Sequence, residues 1–228
     1  HQWPTILQPV NAIPSNALCL IDRNLFVYDG QENPYSHEIQ FSAVENIFEV
    51  LNYILPKCYA DSYHVSVLFE YMPLKDSKNN VIKKDHEHFT EVCEKVFERV
   101  KDLKRDYTIK LEMIAFKKSK GFYNDITHDR FILSNYFCAS ASNGLNVINY
   151  NKFENTGTYN QKIDVYLPYS VGLRNDRSGT SPIDTNNRIT KGCRDFISFW
   201  RKNADIDIYL YASNFEGDFT THKNRLFN

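Results

Sequence analysis

The sequence predicts an α/β domain in which helices flank a central mixed sheet. Residues 63–69 are rich in β-branched and aromatic residues, which is typical of a buried strand, and residues 109–116 begin with the apolar–polar alternation of a strand. Between them, apolar residues recur at three- and four-residue steps from Phe89 to Leu103, which is typical of an amphipathic helix. Several short strand candidates follow and interrupt the alternation of strand and helix. A layered domain with a mixed rather than a purely parallel sheet is therefore expected.

Three elements are predicted before the first of these strands. Residues 1–16 are rich in proline and predict an extended arm. Residues 18–21 and 25–28 are apolar and flank a polar Asp-Arg-Asn turn, which predicts a β-hairpin. The helical spacing of apolar residues over 44–55 predicts a helix that the following proline ends.

The second half of the chain is predicted to contribute short strands and one more helix. The strand candidates are 131–133, 145–148, 163–167 and 206–210. Small residues at 139–142 and a polar stretch at 174–185 predict loops, and the apolar stripe over 189–200 predicts a helix. Nothing requires a second domain, so residues 17–228 are expected to form one domain. The chain lacks an initiator methionine, so this domain is expected to be part of a longer protein.

Composition and charge exclude several classes of protein. The 228 residues include 27 Lys and Arg against 28 Asp and Glu, and this net charge of −1 argues against a uniformly basic nucleic-acid coat. An aromatic content of 14% supplies a core and argues against disorder. No stretch reaches the roughly 20 apolar residues that cross a bilayer, so no transmembrane segment is expected.

The cysteines argue against a zinc site and for a reducing compartment. There are five, an odd number, and no two form a C-x-x-C pair. Cys93 and Cys193 occupy apolar positions of helical patterns, where a free thiol is usually a small buried side chain. We therefore expect a reduced, cytoplasmic chain without cofactor or metal. His86 and His88 stand two apart in a predicted helix and point to different sides, so they are expected to be solvated.

One segment in the middle of the chain carries residues suited to chemistry. His128, Asp129 and Arg130 precede a short strand candidate that ends near Asn135. Small residues follow, and then comes the run Asn-Gly-Leu-Asn at 143–146. Because residues two apart on a strand point to the same side, the His and the Arg of the first run are expected to face one ligand.

This segment resembles the phospholipase D superfamily, whose signature is H-x-K, then an Asp after four further residues, then G-S-x-x-N after six more. The spacing fits throughout, and the matching positions are His128, Arg130, Asn135, Ser142, Asn143 and Asn146. Only His128 and Asn146 keep the family's residue type. The resemblance implies a phospholipase D-like layered α/β domain with a degenerate motif.

What the resemblance implies is a metal-independent phosphodiesterase or hydrolase, above all a nuclease. His128 takes the place of the nucleophile, which forms a phospho-histidine intermediate, and Arg130 takes the place of the cation that neutralises the phosphate. A guanidinium binds phosphate bidentately, although its fork is placed differently from an ammonium group. Asn135, Asn143 and Asn146 take the places of groups that orient the reacting atoms.

Polar residues beside the motif are candidates for contacts with the substrate. They are Lys117, Lys118, Lys120, Asp129, Ser140 and Ser142. The three lysines form a basic run just before the motif, and such a run next to a phosphate site steers an anionic ligand toward it. The expected ligand is a nucleic acid or another phosphate-bearing molecule.

The family builds each active site from two His motifs, which one chain or two chains supply. One motif is found here, because His222 begins an H-x-x-R rather than an H-x-K. An active enzyme is therefore expected to be a homodimer or to have a second catalytic half outside this sequence. The segment also resembles a divergent branch, the C-terminal phospholipase D-like domain of MIT-domain proteins, for which the resemblance implies a lipid-binding module rather than an enzyme.

Three functions are thus open from the sequence. They are phosphodiester cleavage, binding of a phosphate-bearing ligand or protein without turnover, and a structural scaffold. On the structural interpretation, His128 is hydrogen-bonded at the start of a strand, and Arg130 pairs with Asp125 or Asp129. The asparagines of the motif would then cap turns, which is a common role for this residue.

Overall fold

The bounds of each helix and strand come from a computed structural model. The structure describes residues 3–10, 14–26, 37–70, 85–116, 130–141, 145, 163–166, 191, 195, 208–213 and 225–226. In chain order the elements are α1 (Trp3–Ile6), a 3-10 turn (Gln8–Val10), β1 (Ala17–Ile21), α2 (His37–Ile54), β2 (Tyr63–Glu70), α3 (Asp85–Lys101), β3 (Ile109–Phe116), β4 (Arg130–Ser134), β5 (Cys138–Ala141), β6 (Ile163–Tyr166) and β7 (Ile208–Ser213). These elements confirm the α/β class.

A parallel β-α-β-α-β unit lies at the centre of the sheet. β1 pairs with β2 and β2 pairs with β3, both in parallel, and α2 and α3 lie in the two connections. All residues of β1 and β2 are buried. Burial on both faces explains why these strands are apolar along most of their length. The two strands and the two helices predicted most clearly from the sequence are confirmed here.

Within the described part of the chain, antiparallel strands complete a mixed sheet of seven strands in the order β6-β5-β4-β1-β2-β3-β7. After β3 the chain returns to the other side of β1, where β4 runs antiparallel to it. As a result, the carboxyl ends of β1, β2, β3 and β5 lie at the same end of the sheet as the amino end of β4. We call this the carboxyl end of the sheet and the opposite one the amino end.

The main apolar core lies between one face of the sheet and the two long helices. α3 contributes Phe89, Val92, Cys93 and Val96, all buried, as its helical spacing predicts. The sheet contributes alternate residues of its strands, because successive side chains point to opposite faces. On β2 these are Val65, Val67 and Phe69. We call this side the helix face.

The other face of the sheet is also buried, and it carries polar groups. Alternation assigns His64, Ser66 and Glu70 of β2 and Glu112 of β3 to this face, and all four are at most 6% exposed. The Ser66 hydroxyl donates to Glu112 Oε1 over 2.6 Å. Such a bond lowers the cost of keeping a carboxyl group inside the domain.

The amino-terminal segment differs from the predicted extended arm. Residues 3–6 form a helical turn and residues 8–10 a 3-10 turn. Trp3 is 1% exposed, and its indole Nε1 donates to Asn46 Oδ1 over 2.8 Å. Proline is tolerated in the first turn of a helix, where its missing N–H has no intrahelical partner. Burial of the large indole therefore decides the conformation in spite of the prolines.

The predicted hairpin at 18–28 is wrong over its described part. β1 forms its first arm, but residues 23–26 form a turn in which the Leu25 N–H donates to the Asp22 carbonyl over 3.2 Å. Both sides of β1 are occupied by β2 and β4, so no position for a hairpin partner remains. The apolar character of Phe26 reflects a place in the core rather than in a strand, since it is fully buried against Phe69 with ring centroids 4.7 Å apart.

The small residues predicted as a loop at 139–142 instead belong largely to β5. Cys138–Ala141 pair with β4 on one side and β6 on the other. Leu145 is a bend residue rather than the start of the strand predicted at 145–148, whose other residues lie outside the described part. β6 confirms the strand predicted near 163–167, and β7 confirms the strand predicted at 206–210 over its described residues, 208–210.

Two further expectations concern the carboxyl-terminal half and the membrane. Lys191 and Asp195 are helical and exposed, and the other residues of the third predicted helix lie outside the described part. Within the described ranges, no helix combines the length and the apolar character needed to cross a membrane.

Candidate functional site

A fully buried carboxylate, Asp22, stands at the carboxyl end of β1. It is 0% exposed, although it directly follows the last residue of the strand. Its Oδ1 accepts the N–H of Asn24 over 2.9 Å, and its Oδ2 accepts the N–H of Leu145 over 2.6 Å. The first bond is a local turn of the kind that Asp favours. The second joins β1 to a segment 123 residues further along the chain.

Arg130 contacts the same carboxylate from the neighbouring strand. It is the first residue of β4, and the antiparallel register with β1 brings it beside Asp22. Its Nε lies 3.8 Å from Asp22 Oδ1. The Nε atom is buried, whereas 24% of the side chain is exposed. The sequence suggests Asp125 or Asp129 as a structural partner for this arginine, but both lie outside the described residues, and the carboxylate found beside it is Asp22.

The pKa of Asp22 reflects opposing influences. Burial raises the pKa of this carboxyl group above its ordinary value, because a charge is costly away from water. The N–H groups of Leu145 and Asn24 and the charge of Arg130 act in the opposite direction, since each stabilises the ionised form. Asp22 therefore joins three parts of the chain through contacts that favour its negative charge.

These contacts link one described residue from each half of the motif predicted from the sequence. Arg130 belongs to the His-Asp-Arg half, and Leu145 lies between Asn143 and Asn146 of the other half. Both are bonded or paired to Asp22. The remaining members of the predicted site lie outside the described residues: His128, Asp129, Ser142, Asn143, Asn146, Lys117, Lys118 and Lys120. Of Ser140 the structure describes the main chain in β5, which pairs with Phe131 and Asp164.

Asn135 does not join the residues around Asp22. It follows the last residue of β4, at the amino end of the sheet, whereas Arg130 begins that strand at the carboxyl end. Its Nδ2 donates to Asn16 Oδ1 over 2.6 Å, and its Oδ1 accepts the Asn16 N–H over 3.4 Å. Because four strand residues separate Asn135 from Arg130, we correct its assignment from the site to the turn between β4 and β5.

A second ion pair lies at the same end of the sheet. The Arg23 guanidinium is bonded through Nε to the carboxylate of Glu70, the last residue of β2. The side chain of Arg23 is 27% exposed and that of Glu70 only 5%. From the sequence alone, Asp22 and Arg23 are predicted to lie in a hairpin turn, so neither is predicted as a site residue. The sequence feature that could have identified them is an acidic and a basic residue directly after a wholly apolar strand.

Within the described residues, no three His, Cys, Asp or Glu side chains cluster as a metal site. Four cysteines are described, and all are free thiols: Cys19, Cys58, Cys93 and Cys138. The side chains of His86 and His88 lie outside the described part, as does Cys193.

Another polar cluster, at the amino end of the sheet, binds Arg225. His64 Nδ1 accepts the N–H of Arg225 over 3.2 Å, and the Arg225 guanidinium donates to the Ser62 carbonyl over 2.6 Å and to Asp61. An imidazole that accepts at Nδ1 is neutral. Burial and, to a smaller extent, the charges of Arg225 and Lys110 lower the pKa of His64, and Asp61 opposes them, so that the pKa is about 4.

We expect this histidine to make the protein less stable in acid. The unfolded chain binds a proton at His64 near pH 6.5, whereas the folded chain binds it only near pH 4, so stability is lost as the pH falls through this window. The loss between pH 7 and pH 5 is about 2 kcal/mol in the free energy of unfolding. Urea unfolding of the wild type and of His64→Gln at both pH values measures it. Equal pH dependence of the two proteins would contradict the assignment.

No protein-family model matches the chain, and no curated protein is significantly similar to it.

Proposed function

We propose that this chain is a phosphodiester-handling domain of the phospholipase D type, acting on nucleic acid through a site at the carboxyl end of the sheet. One observation carries the proposal: Asp22 contacts Arg130 and the main chain of Leu145, which come from the two halves of the motif. Ligand sites in open α/β sheets commonly lie at the carboxyl ends of the strands, next to the point where the strand order reverses. Here that point is between β1 and β4.

The roles of the residues follow from the resemblance. His128 attacks the phosphorus atom, a phosphorus–nitrogen bond forms and the ester oxygen leaves; water then cleaves the phospho-histidine and restores the imidazole. Arg130 neutralises the negative charge that grows on the phosphate oxygens. Asn143 and Asn146 donate amide hydrogens to these oxygens. A second chain supplies the acid that protonates the leaving oxygen, so the active form is a homodimer.

Recognition at one local site is compatible with the near-neutral charge of the chain. A net charge of −1 gives no general attraction for a polyanion. A single guanidinium that is partly buried nevertheless binds a phosphate strongly, because a charge-assisted pair gains strength where water is partly excluded.

A non-catalytic binding module of the same fold is the second candidate. The observation that favours it is the pairing of Arg130 with a fully buried carboxylate. A cation held in this way is well placed to hold a phosphate, but the carboxylate offsets part of the charge that would stabilise a transition state. Replacement of the family's Lys by Arg130 and of its Asp by Asn135 agrees with this candidate.

The phosphate affinity of Arg130→Gln tests the site common to both candidates. We expect its affinity for bis-p-nitrophenyl phosphate and for a short single-stranded oligonucleotide to be at least about tenfold below the wild type, because a charge-assisted bond contributes about 1.5–3 kcal/mol. Isothermal titration calorimetry measures the affinity for each ligand. Lys101→Gln, on the exposed surface of α3, is the matched control for loss of one charge.

The result also separates the candidate functions. Release of nitrophenolate that persists in EDTA supports the enzyme, and binding without release supports the binding module. Equal affinity of Arg130→Gln and the wild type would leave only a structural role for the ion pair.

A further inference from the structure

Arg23 is held in a fixed position at the carboxyl end of the sheet by both its main chain and its side chain. Its carbonyl accepts the N–H of Glu70 over 3.1 Å. Its guanidinium Nε is bonded to the Glu70 carboxylate, which is almost fully buried. A long side chain tied at both ends has already lost much of its conformational freedom, so little more is lost when it binds a ligand.

The guanidinium of Arg23 retains donors for a ligand. It carries five N–H hydrogens in a planar fork, and among the residues that the structure describes it is bonded to Glu70 alone. With 27% of the side chain exposed, part of the group is open to solvent. The two Nη atoms match the spacing of two phosphate oxygens, which is the geometry that favours arginine over lysine at phosphate sites.

Arg23 and Arg130 approach the carboxyl end of the sheet from its two faces. Glu70, which holds Arg23, belongs to the face opposite the helices. Arg130 is two residues before Ile132, which lies in the core on the helix face. Arg23 follows β1 closely, Arg130 begins β4, and these two strands are neighbours, about 4.8 Å apart. A chain of phosphates that crosses this end of the sheet would therefore meet one arginine on each side.

We propose that Arg23 is a second phosphate-binding residue, and that the ligand is an oligonucleotide strand with at least two phosphates across the carboxyl end of the sheet. This inference rests on the proposed function, since Arg130 binds the first phosphate. β3 ends at this same end of the sheet, and the sequence continues from it with Lys117, Lys118 and Lys120. The two arginines thus lie at one end of the sheet, one in the turn after β1 and one at the start of β4.

The described surface favours a nucleic-acid strand over a membrane. Proteins that lie on a lipid surface insert exposed apolar or aromatic side chains between the headgroups. Among the described residues, Tyr136 is the single large hydrophobic side chain that is exposed. It lies in the turn between β4 and β5, at the amino end of the sheet and away from both arginines.

The salt dependence of oligonucleotide binding tests the inference. We expect Arg23→Gln to bind an eight-residue oligothymidylate about tenfold more weakly than the wild type and to reduce the slope of log K against log salt by about 0.7. Its affinity for bis-p-nitrophenyl phosphate, which has one phosphate, is expected to stay within about twofold of the wild type. Lys101→Gln is expected to leave both affinities and the slope unchanged.

Other outcomes would overturn the inference. Equal losses for the two ligands would mean that Arg23 acts only through the fold, and an unchanged slope would mean that it does not touch the strand. Binding to vesicles of phosphatidylserine and phosphatidylcholine, without binding to the oligonucleotide, would favour a membrane ligand. Failure of the wild type to bind bis-p-nitrophenyl phosphate would instead overturn the proposed function itself.

A second variant keeps the test valid if Arg23→Gln does not fold. Arg23→Lys retains the charge but not the planar fork. It is expected to keep the salt slope of the wild type and to lose severalfold in affinity for the oligonucleotide alone. Circular dichroism and the thermal midpoint establish that each variant is folded before its affinity is measured.

Discussion

Replacement of Asp22 by alanine is expected to lower the free energy of unfolding by about 3–5 kcal/mol, the range seen when one partner of a buried charged pair is removed. The variant leaves the N–H groups of Asn24 and Leu145 without their acceptor. It also leaves the partly buried Arg130 without the carboxylate beside it. Each buried donor that loses its partner costs about 1–3 kcal/mol. Urea unfolding of the wild type and the variant at neutral pH measures the difference.

Two control variants show whether the effect is specific. Asp102 lies on the surface of the domain, 59% exposed, where it pairs with Arg99. Asp102→Ala is expected to cost less than about 1 kcal/mol, as exposed ion pairs do. Asp22→Asn keeps one acceptor oxygen and is expected to fall between the two. If Asp22→Ala costs no more than Asp102→Ala, Asp22 does not hold the site together.

Replacement of His128 by alanine is expected to reduce phosphodiester turnover by about a thousandfold or more, because removal of a nucleophile leaves only binding and electrostatic contributions. Affinity for the substrate is expected to change little, since Arg130 is the residue proposed to hold the phosphate. Release of nitrophenolate from bis-p-nitrophenyl phosphate in EDTA measures the rate. His86→Ala, a histidine of α3, is the matched control and is expected to retain full activity.

A second experiment tests whether the reaction passes through a phospho-histidine at His128. A phospho-histidine is stable in base and labile in acid, so rapid quenching in base followed by mass spectrometry is expected to find phosphate on the peptide that contains His128. Turnover that is equal in the wild type and in His128→Ala would contradict the assignment of the nucleophile.

Much of the fold is predictable because its central elements follow local patterns. β2 is rich in β-branched and aromatic residues, β3 begins with apolar–polar alternation, and the apolar residues of α3 keep a helical period from Phe89 to Val100. In these segments the secondary-structure propensity, the hydrophobic pattern and the observed burial agree, so the segments can be predicted from the sequence alone.

The differences arise where distant contacts override local patterns. Phe26 and Trp3 are apolar because they fill the core, and neither lies in the strand or the arm that their neighbours predict. The small residues of β5 have weak strand propensity, and pairing with β4 and β6 holds them in the sheet. The local pattern of a single sequence carries no information about these long-range contacts.

The candidate site was predictable only in part for the same reason. Arg130 is found from its spacing to His128, and the structure adds its place at the carboxyl end of the sheet. Asp22 is missed because its partners are remote in sequence: the bond to Leu145 spans 123 residues. Asn135 shows the converse, since correct spacing in the motif does not bring it near Arg130.

The most direct test of the phosphate site around Asp22 is to follow the Leu145 amide by NMR during titration with bis-p-nitrophenyl phosphate. We expect the signals of Leu145 and Arg130 to shift together with one dissociation constant in the wild type, and the Leu145 signal to remain unchanged in Arg130→Gln at the same ligand concentration. Shifts confined to Asn16 and Asn135, at the amino end of the sheet, would contradict the proposed site, as would the absence of any shift.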